Sequence, residues 1–241
     1  MLQRQIMDQP MTPVRTEGTL LAGLGPEALK ALSARSVQRT FAANAHLFHQ
    51  GDLPTHLFQV CTGLVKVVQI SAGGAQTTLH IMGPGELIGC LAVVQQFPFP
   101  ASAVASQDTV VLSWPAPQLR DLMNQFPSIA ANVLREVGAR AQEMADRVVD
   151  MLHKDVEQRI AGVLLRLSSR VGEVCEQGVR LDFPITRKDV GELAGATYFT
   201  VSRTLGEWQK QGIVCTGRER IMIVAPDRLA QIAGGSSFAS G

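Results

Sequence analysis

The stretch that decides the fold is ITRKDVGELAGATYFTVSRTLGEWQKQGIVCTGRERIMIV, residues 185–224. Two short helices are legible in it. Thr186 is placed to cap the first, and Asp189 three residues on completes a capping-box start that satisfies orphan backbone N–H groups. Its inner face is Val190, Leu193 and Ala194; Gly195 permits a sharp turn, and Thr197 can cap the second helix. The second helix carries Val201, Leu205 and Trp208 at i, i+4 and i+7, one apolar stripe. Subtracting that stripe leaves Tyr198, Phe199, Ser202, Arg203 and Gly206 outside. Two β-type runs then meet at Thr216-Gly217-Arg218. Helix, glycine turn, helix and hairpin make the pattern of a winged helix-turn-helix. Adjacent Tyr198 and Phe199 cannot both turn inward with Val201 and Leu205, so an aromatic pair beside Arg203 is left needing a partner. Arg218 and Arg220 on the wing stand where phosphates would be reached. The segment holds six basic groups (Arg187, Lys188, Arg203, Lys210, Arg218, Arg220) against four acids (Asp189, Glu192, Glu207, Glu219). That surplus is modest, and geometry rather than charge carries the DNA reading.

Working outward, Ala130, Leu134, Val137, Ala141, Met144, Val148 and Met151 repeat at 4-3-4-3-4-3, with charged neighbours Arg135, Glu136, Arg140, Glu143 and Arg147. A strict 3.5-residue repeat is narrower than a helix needs to pack on its own core, and it predicts a two-stranded coiled coil opened by Pro127. Asp155 is the expected N-cap of a further helix to Ser169 with Ile160, Val163, Leu164 and Leu167 on one face. Residues 171–184 read as a loop or short strands. Upstream, HLFQV, LVKVVQI, TTLHI and VVLSW are short β-type runs between turn signals Gly51-Asp52, Gly63, Gly73-Gly74 and Gly83-Pro84-Gly85, as in a sandwich or rolled barrel. Leu20–Ala34 reads as a short helix with Pro26 in its first turn. The predicted organisation is a loose arm (1–18), a β-roll sensor domain (19–126), a dimerisation helix (127–153), the winged helix-turn-helix domain (154–233) and a flexible tail (234–241), an α+β chain.

Composition excludes several classes. The chain has 241 residues, 22 Lys+Arg against 21 Asp+Glu, and 46% hydrophobic residues, which is not the make-up of a disordered polyelectrolyte. The longest uncharged stretch, between Glu86 and Asp108, contains glutamines, prolines and serines and is no membrane span. The N-terminus lacks the apolar run of a signal peptide, so a cytoplasmic location with no membrane partner is expected. Cysteines 61, 90, 175 and 215 form no C-x-x-C pair; their ordinary reading is small apolar residues. No H-E-x-x-H, P-loop, G-x-S-x-G or H-x-H is present, so no catalytic residue is assigned; no metal set is evident, and a cupin-type enzyme lacks its metal ligands.

The order β-roll, long heptad helix, winged helix-turn-helix resembles the cyclic-AMP-receptor/FNR (Crp/Fnr) family of bacterial transcription regulators. The resemblance covers about Leu20 to Ala233. ITRKDVGELAG and TVSRTL carry it most specifically, supported by Gly51-Asp52, TGLVKV from Thr62 and GPGELIG ending at Gly89. It implies a homodimer on an inverted-repeat site in double-stranded DNA, with RNA polymerase as a further partner. Arg203 matches the family arginine that reads guanine, a bidentate fit to O6 and N7. Ser202, Tyr198 and Phe199 share the reading face, Phe199 standing where the family usually has a base-reading Glu. Thr186, Arg187, Lys188, Thr197, Thr200, Arg218 and Arg220 fall at implied phosphate contacts. A non-DNA-binding cyclic-nucleotide-domain regulatory subunit and a cupin-type β-roll enzyme are the competing classes.

The implied effector pocket departs from the family. Cys90 follows Gly89 where the cyclic-AMP branch has a ribose-binding Glu; Pro100-Ala101 replaces its phosphate-binding Arg-Ser, and Met144-Ala145 its purine-facing Thr-Ser. A buried phosphate without a guanidinium would be uncompensated, so cyclic AMP is not expected. The N-terminal cysteine cluster of the iron–sulfur branch is also missing. What remains is an apolar pocket near Gly89, Cys90, Leu91, Phe97, Phe99, Pro100, Ala101, Ser102, Met144 and Ala145. In this family such a pocket implies a hydrophobic effector or a haem sensing a gas such as nitric oxide. His46, His49, His56 and His80 are then the candidate axial ligands. A ligand-free regulator is the other possibility.

Overall fold

The computed structural model describes residues 20–181, 183–217 and 220–234. The predicted arm, the tail beyond Gly234 and wing-tip Arg218 lie outside them. The β-roll is two four-stranded sheets. One runs β1 (Val37–Phe41), β8 (Thr109–Pro115), β3 (His56–Thr62), β6 (Leu87–Ile88); the other runs β2 (His46–Phe48), β7 (Ser102–Ala105), β4 (Val65–Ile70), β5 (Gln76–Met82). Phe58, Val60, Val65, Met82, Ile88, Ala103 and Val111 fill the space between them. Gly63, between β3 and β4, sits at φ +85°, and a Cβ there would lie 2.5 Å from Thr109 Oγ1 and 2.6 Å from the Asp108 carbonyl. Only glycine fits that crossing.

Helices cover one end of the roll. α1 (Pro26–Ala34), the short α2 (Cys90–Gln95), α3 (Ala116–Gln125) and the start of α4 (Pro127–His153) bury Leu32, Trp114, Leu119, Leu122, Ile129 and Val133 together. The Trp114 indole donates to Leu32 O at 2.9 Å, and the Asn132 amide donates to Leu20 O and Ala22 O. α1 begins at Pro26 rather than Leu20, because the preceding glycines leave Leu20–Gly23 as a turn.

The C-terminal unit comprises α5 (Val156–Val171), β9 (Glu173–Cys175), β10 (Gly178–Leu181), α6 (Arg187–Ala194), α7 (Tyr198–Lys210), β11 (Val214–Gly217), β12 (Arg220–Ile223) and α8 (Pro226–Gly234). Its sheet order is β11-β12-β10-β9. Asp155 and Gln158 form a full capping box on α5, as do Thr186 and Asp189 on α6. Gly195 turns the chain at φ +63°. The sequence gives no warning of α8, whose Leu229 and Ala233 complete the core around Ile160, Leu164, Leu205 and Trp208.

The two units pack against each other. Leu64 and Ile81 of the roll join the C-terminal core. Polar contacts surround them: Lys66 Nζ lies 2.7 Å from Asp189 Oδ2, Thr78 Oγ1 donates to Asp189 Oδ1 at 3.2 Å, and Thr78 N donates to Glu192 Oε2 at 2.6 Å. Arg147 of α4 donates to Leu79 O and to Leu193 O, joining both units. No helix among the described residues is long and apolar enough to cross a membrane.

Candidate nucleic-acid interface and effector cavity

The outer face of α7 is built by subtraction. Val201, Leu205 and Trp208 are buried, and the Trp208 indole donates to Glu157 Oε1 at 2.7 Å, which fixes the helix roll. Phe199 is therefore 82% exposed, and its ring meets Tyr198 edge-on at 5.7 Å. Arg203 is exposed beside them, with no hydrogen bond or ion pair among the described residues; Ser202 is half-buried. Thr197 caps α7 by accepting from Thr200 N, and its hydroxyl lies 2.9 Å from that of Thr200. A concavity of about 210 Å³ between the starts of α6 and α7 and the wing brings together Thr186, Arg187, Tyr198 and Arg220. Lys188 is exposed on α6, 3.6 Å from Glu192.

Thr186 differs from the expectation in detail. Its hydroxyl and its N–H both donate to Asp189 Oδ2, at 2.7 and 2.8 Å. Burial alone would raise the Asp189 carboxyl; the Lys66 ammonium and the Thr186 donors overcome it and hold the group below its ordinary value.

The second site is a cavity of about 320 Å³ between the β-roll and α4. Gly89, Cys90, Leu91, Phe99, Pro100, Ala101 and Met144 line it, as predicted residues, together with Phe48, Val67, Met82, Ile88, Val137 and Ala141. Three predicted lining residues do not. Ser102 is buried in the sheet, where its hydroxyl accepts from Gln50 N at 2.8 Å; Ala145 is exposed on α4, and half-buried Phe97 does not border the cavity. Burial pushes the Cys90 thiol up to about 12, so it is an inert thiol. Of the four candidate axial histidines only His80 reaches the cavity. His46 and His49 stack on each other at 4.1 Å, and His56 lies 2.9 Å from Arg39. Among the described residues no cluster of His, Cys, Asp and Glu could hold a metal ion.

Two of the charges flanking the heptads, Glu136 and Arg140, line this cavity; Glu143 and Arg147 lie beyond it, beside His80 and Arg170 of α5. Glu136, Arg140, Glu143 and Arg147 recur at 4-3-4 spacing on the roll-facing side of α4. Arg140 pairs with Glu86 at 2.5 Å and Glu143 at 3.3 Å; Glu143 also pairs with Arg170 of α5 at 2.8 Å. Burial lowers His80 to about 4, against the opposing Glu143 3.7 Å away, so it is neutral at physiological pH. This wall was missed because the sequence pairs these residues with one another, whereas Glu86 is distant in the chain.

The heptad face is also split. Leu134 (60% exposed) and Val148 (56%) project to solvent, Ala141 is exposed and also borders the cavity, and Gly138, Ala145 and Leu152 continue that row. Val137 instead lines the cavity and packs on the roll, and half-exposed Met144 borders both. Ala130 is half-buried, and Met151 abuts Gly195 across the domain junction.

Residues 38–126 match the cyclic nucleotide-binding domain family, and residues 158–232 match the Crp-like helix-turn-helix domain family. The cyclic AMP receptor protein of Thermus thermophilus is 31% identical over 217 residues, covering 90% of this chain and 97% of that one. The chain belongs to the Crp/Fnr family.

It is accordingly a DNA-binding transcription regulator and not an enzyme. The fumarate and nitrate reduction regulatory protein of Escherichia coli K12 is 28% identical over 188 residues, covering 78% of this chain and 75% of that one. The solved structure of FixK2 from Bradyrhizobium japonicum shares the fold at TM-score 0.74 and 20% identity, over 84% of this chain and 99% of that one. α7 lies within the part matched by the Crp-like helix-turn-helix domain, and the cavity lies between the cyclic nucleotide-binding domain and α4.

Proposed function

We propose that this regulator binds an inverted-repeat DNA site as a homodimer, with its affinity set by an effector other than cyclic AMP in the α4 cavity. The exposed, unpartnered outer face of α7 carries the reading. Arg203 donates bidentately to a guanine in each half-site, and Phe199 packs on a thymine methyl instead of accepting from cytosine. Two such helices related by a two-fold axis reach successive major grooves about one helical turn apart. The solvent-facing row Leu134, Ala141, Val148 and Leu152 on α4 supports pairing with a second copy, since a stripe of that length is rarely left open to water. RNA polymerase is the further partner that the family implies.

Cyclic AMP is disfavoured although the Thermus relative is named for it. Among the described residues the cavity offers no free cation: Arg140, the one guanidinium lining it, already holds two carboxylates. Haem fits no better, because only His80 among the candidate ligands is in reach and two propionates would meet the same shortage of cations. Selection from a random duplex library tests the DNA reading. Wild type should return a two-fold motif with about 10 base pairs between half-site centres, and Arg203→Ala should lose the guanine preference, a change of roughly 1–3 kcal/mol per half-site. An unchanged motif in Arg203→Ala would show that another surface reads the bases.

A further inference from the structure

We infer that the α4 cavity selects an apolar ligand whose polar end is a hydrogen-bond donor, a hydroxyl or an amine, and that Glu136 receives it. This rests on the reading of the cavity as the effector site and narrows its occupant. Most of the wall is hydrocarbon and aromatic: Phe48, Phe99, Met82, Ile88 and Met144. Of its ionisable groups, the Arg140 guanidinium is spent on Glu86 and Glu143, and His80 is neutral. Glu136 is different. It is half-buried on the cavity wall, and no group among the described residues donates a hydrogen bond to it. Burial raises its carboxyl, and Arg140 only partly opposes that. A carboxylate drawn from water without a donor is costly, and a ligand that supplies one recovers the loss. A ligand carboxylate or phosphate would do the reverse, adding a second anion to a wall with no cation left to meet it. Size agrees: about 320 Å³ is at the low end for small-molecule sites.

A matched series separates the ligand's head from its tail: 1-octylamine, 1-octanol and octanoate, each titrated into the full-length protein while its melting temperature is followed. Octylamine and octanol should raise it in a saturating manner, and octanoate should bind at least tenfold more weakly. Glu136→Gln should cut the octylamine-to-octanoate preference at least tenfold. Met144→Trp, which fills the half-exposed mouth of the cavity and keeps Glu136 and Arg140, should abolish the shift with all three compounds. Octanoate binding as tightly as octylamine, an unchanged preference in Glu136→Gln, or no binding by any of the three would overturn the inference. DNA affinity measured alongside keeps the two ideas apart. A head-group preference with unaltered DNA binding upholds the ligand class and refutes the effector role.

Discussion

Asp189 joins two jobs in one carboxylate, and cutting them separately tests the docked arrangement of the two units. Within its own unit it completes the α6 cap through Thr186; across the junction it accepts from Lys66 and Thr78. Thr186→Ala removes the cap alone and should cost about 1 kcal/mol. Lys66→Met keeps the apolar stem and removes only the charged cross-domain bond. Such bonds are worth about 1.5–3 kcal/mol, and three remaining donors to Asp189 put the expected cost near the low end. Asp189→Ala removes both and leaves the Lys66 ammonium, 20% exposed, without its partner. Breaking a buried pair from one side costs about 3–5 kcal/mol, and partial access to water again favours the lower value. Urea denaturation of the three variants at pH 7 gives the numbers. The acid limb gives an independent check. The Asp189 carboxyl is held low in the folded state, so its contribution is complete above the ordinary aspartate value and is lost as pH falls through the depressed one. Lys66→Met should therefore flatten the acid-side loss. A Lys66→Met variant within about 0.3 kcal/mol of wild type, with an unaltered acid limb, would mean that the cross-domain bond does not form in solution; that margin is ordinary scatter for a surface change.

His80, at about 4 in the fold and surrounded by Glu143, Arg140, Arg147 and Arg170, should cost stability on acidification from pH 6.5 to 4, because the unfolded chain takes up the proton first. The loss should approach about 3 kcal/mol and vanish from the pH profile of His80→Gln. Gly63→Ala should destabilise by at least about 2–3 kcal/mol, since it combines a positive φ with a Cβ pressed against Thr109 and Asp108; thermal melting reads it directly. Val148→Glu puts a charge into the solvent-facing row of α4 and should give monomers in sedimentation without lowering the monomer's melting temperature. A dimer that persists would relocate the interface.

Local chemistry made the helix-turn-helix readable. Thr186, Asp189, Gly195 and Thr197 each have one strong backbone role, and the stripe of Val201, Leu205 and Trp208 leaves only one way to roll α7. The long helix was legible in extent but only half in orientation. Its apolar residues divide between a solvent-facing flank and one packed on the β-roll, and a 3.5-residue repeat does not say which of Leu134 and Val137 lies on which. The cavity wall was illegible for a different reason. Glu136 and Arg140 look like ordinary coiled-coil flanks until β5 and the turn before β6 bring His80 and Glu86 to that side of α4. Strands such as β1, mostly exposed and polar, and β2, only three residues long, have no hydrophobic alternation to announce them. Histidine positions were equally uninformative, because reach to the cavity depends on which sheet face a residue occupies.

The hydrogen bond from Thr78 N to Glu192 has a bearing on how the sensor half behaves alone. β5 is the outermost strand of its sheet, so its free N–H groups are a template on which another chain could pair. In the whole molecule α6 covers that strand and Glu192 occupies one of its donors. An excised β-roll, or a molecule whose C-terminal unit has swung away, presents the strand uncovered, with Leu64 and Ile81 newly wet beside it. Docking of the DNA-binding unit thus also guards the sensor sheet against self-association, and solubility reports on it.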